Sequence, residues 1–259
     1  MKKTILEIQA LAKRQLQDYR GFNPGTCFAD PEFSIDTETA YHLQDTVTQL
    51  RVEDGEGVTG YKIGCTGPGT TAQFGMDGPI RGTLFREEVL QTGSSLNPNK
   101  FCRLAVEGEM AIRIGSDGEM EAAFPVIELH NLVFRAEKKT LSELIANNGI
   151  NAGVILPEIE WQQSKAFVTE NASLAVNING TELGVELGVG DLWPKPGGPA
   201  ESLNWLRQHF KDFKLRLLPG QIVLAGTSLG LYPVQSGDQV SVCLNGQPAV
   251  CCSIEPLSE

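Results

Sequence analysis

Residues 103–113 alternate between two kinds of side chain. The even-numbered positions from Leu104 to Ile112 are apolar or glycine, and the odd-numbered positions between them carry alanines and two glutamates, Glu107 and Glu109. Because side chains point alternately to the two faces of a strand, we predict a strand with both carboxylates on one face. Burial would raise their pKa values unless a partner neutralises the charge. A divalent cation is one such partner, since hard cations take oxygen ligands, and an ordinary solvated strand face is the alternative.

Helical spacing of apolar residues marks the N-terminal part of the chain and two later segments. Apolar side chains recur at helical intervals over residues 4–19, and again after Asp36, whose carboxylate can cap a second helix. Residues 140–143 match a capping box, which predicts a helix that ends near Gly149. A further helix is predicted over 200–213.

The rest of the chain is predicted to form short strands joined by turns. Strand patterns cover 58–64, 83–85, 122–131, 222–225, 239–242 and 249–254, with hairpin signals at 115–118, Asn179-Gly180 and Asn245-Gly246. Residues 166–178 alternate only weakly. We expect a single catalytic domain, 1–259, in which an N-terminal helical segment, 1–55, packs on a β-rich core, 56–259.

Composition narrows the possible functions. The chain has 259 residues and a formal net charge of −11, so a nucleic-acid partner is not expected, because phosphate binding needs clustered lysines and arginines. The six cysteines form no Cys-x-x-Cys pair, and with only three histidines a zinc site is not expected. The N-terminus lacks a signal-peptide pattern, and no segment has the length and apolarity of a membrane span. We therefore expect a soluble, reduced, cytoplasmic protein with no membrane partner.

Three further side chains are candidates for chemistry. Lys62 shares its strand face with Gly60 and Gly64, so it lies beside bare backbone that a ligand can approach, although a solvent-facing lysine is the alternative. Glu128 lies inside an apolar segment and needs a partner, either a basic side chain or a metal. His130 follows two residues later, and we interpret this lone histidine as packed and hydrogen-bonded rather than catalytic.

Two loops add candidates of a weaker kind. The loop at Asp77 is either a plain turn or an acidic active-site loop. In the turn Gly226-Thr227-Ser228, successive backbone N–H groups can hold a carboxylate, and a plain turn fits the pattern as well. The sequence leaves both alternatives open.

Four motifs occur in an order that points to a known family. They are Gly60-Tyr61-Lys62-Ile63-Gly64, Glu107-Gly108-Glu109, Pro125-Val126-Ile127-Glu128 and Pro219-Gly220-Gln221-Ile222-Val223-Leu224-Ala225-Gly226. Together they resemble the 2-oxopent-4-enoate hydratase and 4-oxalocrotonate decarboxylase group of the fumarylacetoacetate hydrolase superfamily, over nearly the whole chain. The resemblance implies an α+β fold with a mixed β-roll, barrel-like as in the C-terminal domain of fumarylacetoacetate hydrolase, and peripheral helices.

The resemblance also implies a set of site residues. It implies that Mg²⁺ or Mn²⁺ is held by Glu107, Glu109 and Glu128, that Lys62 works beside the substrate, and that Asp77 moves protons. Desolvation near a metal would lower the pKa of the lysine. Substrate contacts are expected from Val106, Arg81, Gly226, Thr227 and Ser228. Arginine can bind a carboxylate in bidentate fashion, so Arg81 could bind a second carboxylate of the substrate.

Four positions depart from the pattern of that group. Asn131 and Asn147 stand where aspartates are usual, Gly78 stands where hydratases tend to carry a second acidic residue, and Arg81 replaces an apolar or aromatic residue. The metal triad is intact, so these departures bear on proton transfer and on the substrate rather than on the metal.

The resemblance therefore implies a divalent-metal-dependent hydro-lyase of the 2-keto-4-pentenoate hydratase type, working in the breakdown of aromatic compounds. Its cation would polarise the carbonyl group of a small-molecule 2-oxo acid. A decarboxylase or a C–C hydrolase on the same scaffold is an alternative. A non-catalytic partner subunit is another, because some hydratases work in complex with a related decarboxylase. Since related enzymes are often oligomers, we expect a homo-oligomer.

Overall fold

Helices occupy the N-terminal part and flank the sheets. The computed structural model describes residues 4–75, 78–164, 172–187, 192–227 and 229–256. Within these ranges the α-helices are α1 (Ile5–Arg20), α2 (Thr37–Glu53), α3 (Pro68–Phe74), α4 (Leu141–Ala146), α5 (Ile159–Gln162) and α6 (Gly198–Phe213). Short 3-10 helices cover Thr26–Ala29, Arg86–Glu88, Pro98–Lys100 and Asn148–Ile150.

The strands follow the predicted order, with additional short ones. They are β1 (Val58–Gly64), β2 (Ile80–Phe85), β3 (Val89–Gln91), β4 (Ser94–Leu96), β5 (Leu104–Ile114), β6 (Met120–Asn131), β7 (Asn151–Leu156), β8 (Ser173–Ile178), β9 (Thr181–Leu187), β10 (Ile222–Leu224), β11 (Leu231–Pro233), β12 (Gln239–Leu244) and β13 (Gln247–Ile254). The weakly alternating segment 166–178 contains β8, and its first part lies outside the described residues.

Both N-terminal helices begin at capping residues, of which Asp36 was predicted. Thr4 and Glu7 form a capping box at α1, and the Asp36 carboxylate accepts a hydrogen bond from the backbone N–H of Thr39 at α2. Such caps typically stabilise a helix start by about 1 kcal/mol. Helix α2 packs on α1 and α4 around an apolar cluster that includes the fully buried Leu43.

The predicted capping box of α4 forms only in part. The Thr140 hydroxyl accepts a hydrogen bond from the backbone N–H of Glu143, as expected. The Glu143 carboxylate accepts instead from the backbone N–H groups of Arg135 and Ala136, which precede the helix. The buried glutamate therefore fixes the incoming loop rather than the cap itself.

Among the described residues, the larger sheet has the strand order β2-β1-β10-β5-β6-β7-β3, and β11 also pairs with β5. Its longest pairing is the antiparallel hairpin of β5 and β6. Strands β2 and β7 lie far apart in this order and still contact each other, so the sheet curls into a half-barrel. The predicted α+β fold with a barrel-like core and peripheral helices is confirmed.

A second described sheet, of order β4-β13-β12-β8-β9, packs on the convex side of the half-barrel. The main apolar core lies between the sheets and includes Val106, Met110 and Ile112 from β5. A smaller apolar cluster fills part of the concave side and includes Ala111 and Phe124. The two faces predicted for residues 103–113 are thus confirmed. None of the described helices has the length and apolar character needed to cross a membrane.

Candidate functional site

The β5–β6 hairpin carries charged side chains on its concave face. In the strand register Glu107 lies opposite Glu128, and Ala105 lies opposite His130. Glu109 shares the face of Glu107 because it follows by two residues. The face therefore changes along the hairpin from an apolar end to an acidic end, and the small alanine leaves space beside the imidazole ring.

Five side chains meet there, and we call them the inner cluster: Lys62, Glu107, Glu109, Glu128 and His130. The His130 Nε2 atom lies 3.2 Å from Glu107 Oε2 and 3.4 Å from Glu128 Oε2. The Lys62 Nζ atom lies 3.2 Å from Glu128 Oε1. Four of the five residues are buried, and the side chain of Glu107 is 19% exposed.

Glycines form the channel through which Lys62 reaches the carboxylates. A Cβ atom added at Gly64 would lie 2.9 Å from Lys62 Nζ, and one at Gly149 would lie 2.9 Å from Cε. At Gly60 a Cβ would lie 1.9 Å from a backbone oxygen of β10. We expected bare backbone beside the lysine to admit a ligand, but these glycines accommodate the lysine itself and the adjacent strand.

Hydrogen bonds hold two of the carboxylates in place. The Asn151 side-chain amide donates to Glu128 Oε1 at 2.7 Å, and the backbone N–H of Gly226 donates to Glu109 Oε2 at 2.6 Å. Gly226 has a φ of +86°, which favours glycine, and a Cβ there would lie 2.5 Å from Thr66 Oγ1. The turn after β10 thus presents a backbone donor to a carboxylate, as predicted, and here the carboxylate is the protein's own.

The charges of the inner cluster do not balance, because three carboxylates face one lysine and one histidine. Burial, together with the neighbouring Glu128 and Glu107, raises the pKa of Glu109 well above its ordinary value. Burial also opposes ionisation of Glu128, but His130 and Lys62 outweigh it and lower the pKa of that carboxyl. While no cation is bound, the cluster therefore disfavours ionisation of Glu109 and favours that of Glu128.

While no cation is bound, the neighbouring carboxylates favour the charged forms of the two basic groups; a cation that takes the imidazole nitrogen as a ligand would release its proton. Burial disfavours a charged ring at His130, but Glu128 and Glu107 outweigh burial and raise its pKa to about 9. For Lys62, burial is likewise outweighed by Glu128, Glu107 and Glu109, and the pKa is raised. The lysine is therefore a charged donor rather than a free base. The lowered pKa that we expect for a lysine beside a bound metal stays a prediction.

A cavity of about 230 Å³ opens beside the inner cluster. Its polar lining includes Lys62, Glu107, His130 and Lys139. Its apolar lining includes Phe74, Ile80, Leu132, Phe134, Leu144 and Leu231. A small concave space with convergent charged groups and an apolar wall is typical of a site for a small organic acid.

The donor set fits a divalent cation. Ligand atoms of Glu107, Glu128 and His130 all lie within 4.8 Å of one another. The Glu109 Oε1 atom is buried and has no hydrogen-bond partner among the described residues. Such an orphaned carboxylate oxygen calls for a further positive group, since a buried polar atom without a partner is costly. A divalent cation among these oxygens would satisfy it and would offset the excess negative charge.

The structure does not bring Arg81 to the inner cluster. Its guanidinium group is fully buried on the opposite sheet face, where Nη2 donates to both carboxylate oxygens of Asp45 at 2.7 and 2.8 Å and Nη1 donates to Gln44 at 2.6 Å. It also packs over the rings of Tyr41 and Phe213. The arginine is bonded to the protein's own carboxylate, so it does not line the cavity.

The other expected substrate contacts are placed as follows. The side chain of Val106 is fully buried in the main core, on the face of β5 opposite to the glutamates. The Thr227 hydroxyl accepts a hydrogen bond from the backbone N–H of Leu229. Asp77 and Ser228 lie outside the described residues. Of the predicted site, the described residues therefore bring together Lys62 with the three glutamates and Gly226; of these only Lys62 and Glu107 are among the residues that line the cavity.

Sequence reasoning did not place His130 and Asn151 at the site. His130 is packed and hydrogen-bonded, as we interpreted it, but its partners are the glutamates. The signal was present, because a residue two positions after Glu128 on a strand must share its face. The Asn151 contact had no such signal, since it depends on the pairing of β6 with β7.

The asparagines at the departing positions have structural partners. The Asn131 side chain accepts a hydrogen bond from the backbone N–H of Cys102. Asn147 accepts one from the Gln15 side chain. Neither residue is among those that line the cavity beside the inner cluster.

Comparison with curated proteins finds relatives over most of the chain. This chain is 24% identical over 247 residues to 2-oxo-hept-4-ene-1,7-dioate hydratase from Escherichia coli, with 86% of this chain and 87% of the relative covered. It is 25% identical over 249 residues to 2-keto-4-pentenoate hydratase 1 from Dechloromonas aromatica, with 92% of each covered. No family model matches the chain.

Comparison with solved structures finds the same fold. The structure matches 4-oxalocrotonate decarboxylase from Pseudomonas putida G7, complexed with magnesium and adipate, at a TM-score of 0.84 and 19% identity over 98% of this chain and 99% of that one. It also matches fumarylpyruvate hydrolase from Pseudomonas aeruginosa, complexed with Mn²⁺ and pyruvate. The TM-score is 0.54 and the identity 13%, with 76% of this chain and 89% of that one covered. These findings confirm the resemblance that the four motifs indicate.

Proposed function

We propose that this chain is a divalent-metal-dependent hydro-lyase that adds water to a 2-oxopent-4-enoate-type acid. The observation that carries the proposal is the inner cluster, in which Lys62 Nζ lies 3.2 Å from Glu128 beside a cavity of about 230 Å³. The hydratase names of the sequence relatives support the reaction type. Mg²⁺ or Mn²⁺ is the proposed metal, held by Glu107, Glu109 and Glu128.

A divalent cation bound at this site supplies Lewis-acid polarisation of the 2-oxo group and of the adjacent carboxylate. The protein's own residues supply orientation and proton transfer. Lys62 is buried, charged and fixed by Glu128, so its Nζ–H can donate to a substrate oxygen on which negative charge develops. The Gly226 N–H and the Asn151 amide hold the carboxylates, so the site is ordered before substrate arrives.

Hydration needs a proton and a hydroxyl delivered to the two carbons of the substrate alkene. Glu107 is the cluster carboxylate with an exposed fraction, so it is the one that water can reach from the cavity. The apolar wall that includes Leu132 and Phe134 can hold the hydrocarbon part of the substrate and limit the number of waters near the alkene. Asp77 is proposed as a further proton-transfer residue on the resemblance of its loop alone.

The length of the substrate is a separate part of the proposal. Among the described residues that line the cavity, Lys62 and His130 belong to the inner cluster, and Lys139 is a lysine outside it. The Lys139 Nζ atom lies 5.1 Å from the centre of the Phe134 ring. Lys139 therefore lines the cavity, whereas Arg81, the residue first expected to bind a second carboxylate, does not. A dicarboxylate substrate would therefore be read by Lys139 rather than by Arg81.

The decarboxylase reading is the second candidate, supported by the structural match to 4-oxalocrotonate decarboxylase. That match is at 19% identity and concerns the fold, whereas the sequence relatives reported above are hydratases. The two reactions share the polarised 2-oxo acid and differ in the bond that changes. Hydration consumes one water, and decarboxylation releases CO₂.

The test is product analysis with 2-hydroxypenta-2,4-dienoate and Mn²⁺ or Mg²⁺. We expect loss of the dienol absorbance, formation of the hydrated 4-hydroxy-2-oxo acid and no CO₂, with full inhibition by a chelator. A parallel assay with 4-oxalocrotonate measures CO₂ release. Release of CO₂ without hydration would replace hydratase by decarboxylase, and no turnover of either acid would favour the non-catalytic partner subunit.

We also propose a homo-oligomer and a cytoplasmic location, both supported by the resemblance to the family alone. Sedimentation velocity at micromolar protein tests the first. A monomer at that concentration would contradict it, and addition of a related decarboxylase would reveal a mixed complex.

A further inference from the structure

His130 occupies a position in the inner cluster that no part of the predicted triad explains. Its side chain is 2% exposed, and it projects from β6 on the same face as Glu128. Ala105 lies opposite on β5, so no large side chain competes for the space. The imidazole therefore reaches the carboxylates instead of packing in an apolar core.

The distances within the cluster suit ligands of a single ion. The Nε2 atom lies 3.2 Å from Glu107 Oε2 and 3.4 Å from Glu128 Oε2. Ligand atoms at ~2.0–2.2 Å from one metal ion, and at right angles to each other, are about 3 Å apart. A cation between the two carboxylates would thus be within bonding reach of the ring after small side-chain movements.

We propose that His130 supplies a nitrogen ligand to the cation of the inner cluster and thereby biases the site toward first-row transition-metal ions such as Mn²⁺ over Mg²⁺. The inference rests on the metal site of the proposed function, but not on the hydration reaction. It adds a fourth ligand residue to the three glutamates and replaces an all-oxygen site by a mixed nitrogen and oxygen site.

The physical reason for the bias is the chemistry of the donors. Mg²⁺ prefers carboxylates, carbonyls and water, and dehydrates reluctantly. Imidazole nitrogen suits transition metals, whose affinities rise along the series from Mn²⁺ to Cu²⁺. A buried imidazole next to two carboxylates should therefore strengthen Mn²⁺ and Co²⁺ binding far more than Mg²⁺ binding.

The direct test is pulsed electron paramagnetic resonance of the tag-free wild-type protein loaded with Mn²⁺. A coordinated imidazole produces nitrogen modulation, and selective labelling of histidine with ¹⁵N should change it. The chain has only three histidines, and the other two lie elsewhere: His42 pairs with Glu38 on α2, and His209 stacks on Trp205. We expect histidine modulation, and its absence from a Mn²⁺-loaded protein would overturn the proposal.

Calorimetric titration with Mn²⁺ and Mg²⁺ provides the second readout, using His130→Val, His130→Gln and the surface control His42→Asn. We expect His130→Val to weaken Mn²⁺ binding at least about tenfold, as losses around metal sites commonly do. Mg²⁺ binding should change by less than about threefold, since imidazole is a poor Mg²⁺ ligand. His42→Asn should leave both affinities unchanged.

The two His130 variants distinguish a metal ligand from a residue that only positions a carboxylate. His130→Gln can still hydrogen-bond to Glu107 but lacks the imidazole nitrogen, so a ligand role predicts loss of the Mn²⁺ preference in both variants. If His130→Gln keeps the wild-type ratio of Mn²⁺ to Mg²⁺ affinity, the histidine only positions a carboxylate and the proposal is wrong. Circular dichroism and a thermal melt verify that each variant is folded, and the resonance experiment needs no variant.

The outcome also distinguishes this inference from the proposed function. Mn²⁺ bound without histidine modulation, in a protein that hydrates its substrate, would overturn the role of His130 alone. Histidine modulation in a protein that turns over no 2-oxo acid would support His130 and contradict the hydratase. A wild-type chain that binds neither ion would overturn both.

Discussion

Lys62 and Arg81 are buried cations on neighbouring strands, and they lie on opposite faces of the same sheet. In the antiparallel register of β1 and β2, Lys62 pairs with Gly82 and Ile63 pairs with Arg81. Their side chains are 4% and 0% exposed. From sequence both were candidates for contact with substrate. Their surroundings differ: those of Arg81 indicate a structural role, and those of Lys62 indicate a role at the candidate site.

The environment of Arg81 is nearly complete without a ligand. Asp45 neutralises the guanidinium group through two hydrogen bonds, Gln44 accepts another, and Tyr41 and Phe213 cover its faces. A planar cation with charge-assisted hydrogen bonds to a carboxylate and with aromatic neighbours is a stable arrangement. The pair connects α2 to the sheet. The Arg81 Nε atom has no hydrogen-bond partner among the described residues, but it is buried on the sheet face opposite to the cavity.

The environment of Lys62 remains unbalanced. Its ammonium group contacts Glu128 in a cluster that holds two further carboxylates, and the buried Glu109 Oε1 has no partner among the described residues. Three carboxyl groups beside a cavity, one of them hard to ionise without a further positive charge, form an arrangement that a bound cation completes. Unmet charge, rather than burial of charge, therefore marks the candidate site.

The largest expected effect is the loss of Mn²⁺ affinity in Glu109→Gln, which changes the Lys62 side of this comparison. Glutamine keeps an acceptor for the Gly226 N–H but removes a charged metal ligand. We expect Mn²⁺ affinity to fall by more than about 100-fold, since even the loss of outer partners of a metal site costs about 10–100-fold. Calorimetry measures it, and a thermal melt should show a folded protein. Unchanged Mn²⁺ affinity would remove Glu109 from the metal site.

The next effect is that of Lys62→Met on turnover. Methionine fills the glycine channel without the ammonium group, so we expect kcat to fall by about 100-fold or more, the usual value of a positioned proton donor. Mn²⁺ binding should be retained, and the exposed Lys13→Met serves as a control. Near-normal kcat in a metal-loaded Lys62→Met protein would show that the lysine takes no part in the reaction.

Arg81→Met should affect stability instead of catalysis. It leaves the Asp45 carboxylate without its partner and is expected to lower the free energy of unfolding by about 2–4 kcal/mol, because breaking a buried pair leaves an uncompensated charge. In the folded fraction, the preference between monocarboxylate and dicarboxylate substrates should stay the same. Denaturant titration and kcat/KM ratios check both parts. A lost dicarboxylate preference at unchanged stability would return Arg81 to the substrate site.

The smallest expected effect is a pH dependence of the protein's stability that arises from His209, which lies near Arg81. Burial and the nearby Arg81 lower the pKa of His209 to about 4, from about 6.5 in an unfolded chain. Below pH 6.5 the unfolded chain therefore binds a proton that the folded chain does not. Stability from this group is complete above pH 6.5 and decreases as the pH falls toward 4.

Melts at pH 7 and pH 5 of wild type and His209→Gln measure this effect. The wild-type Tm should fall further than that of the variant, since other groups that titrate in the range are common to both proteins. An equal fall in both proteins would show that His209 is not the responsible group.

The sequence was sufficient to predict the parts of the site that lie on one strand. Period-two alternation places Glu107 and Glu109 on one face, and the same period relates His130 to Glu128. Apolar spacing indicated α1, and the Asp36 cap located the start of α2. These features are local, so they depend on few neighbours.

The relation between strands could not be predicted in the same way. Strand β10 lies between β1 and β5, and Lys62 reaches Glu128 only because the sheet curls. The pairing of Arg81 with Asp45 likewise depends on where α2 packs. Such contacts arise from tertiary packing, which decides whether a buried cation completes a structural pair or adds to an unsatisfied cluster.

The central claim is that the inner cluster is a site for a divalent metal and a 2-oxo acid, and a thermal melt with Mn²⁺, with and without oxalate, tests it most directly. Oxalate resembles an enolised 2-oxo acid, and a ligand at about 100 times its Kd stabilises by about 2.7 kcal/mol, which raises Tm by about 5 °C or more. We predict that oxalate raises the Tm only when Mn²⁺ is present, and that Glu109→Gln abolishes the shift. No shift with Mn²⁺ or with Mn²⁺ and oxalate together would contradict the claim.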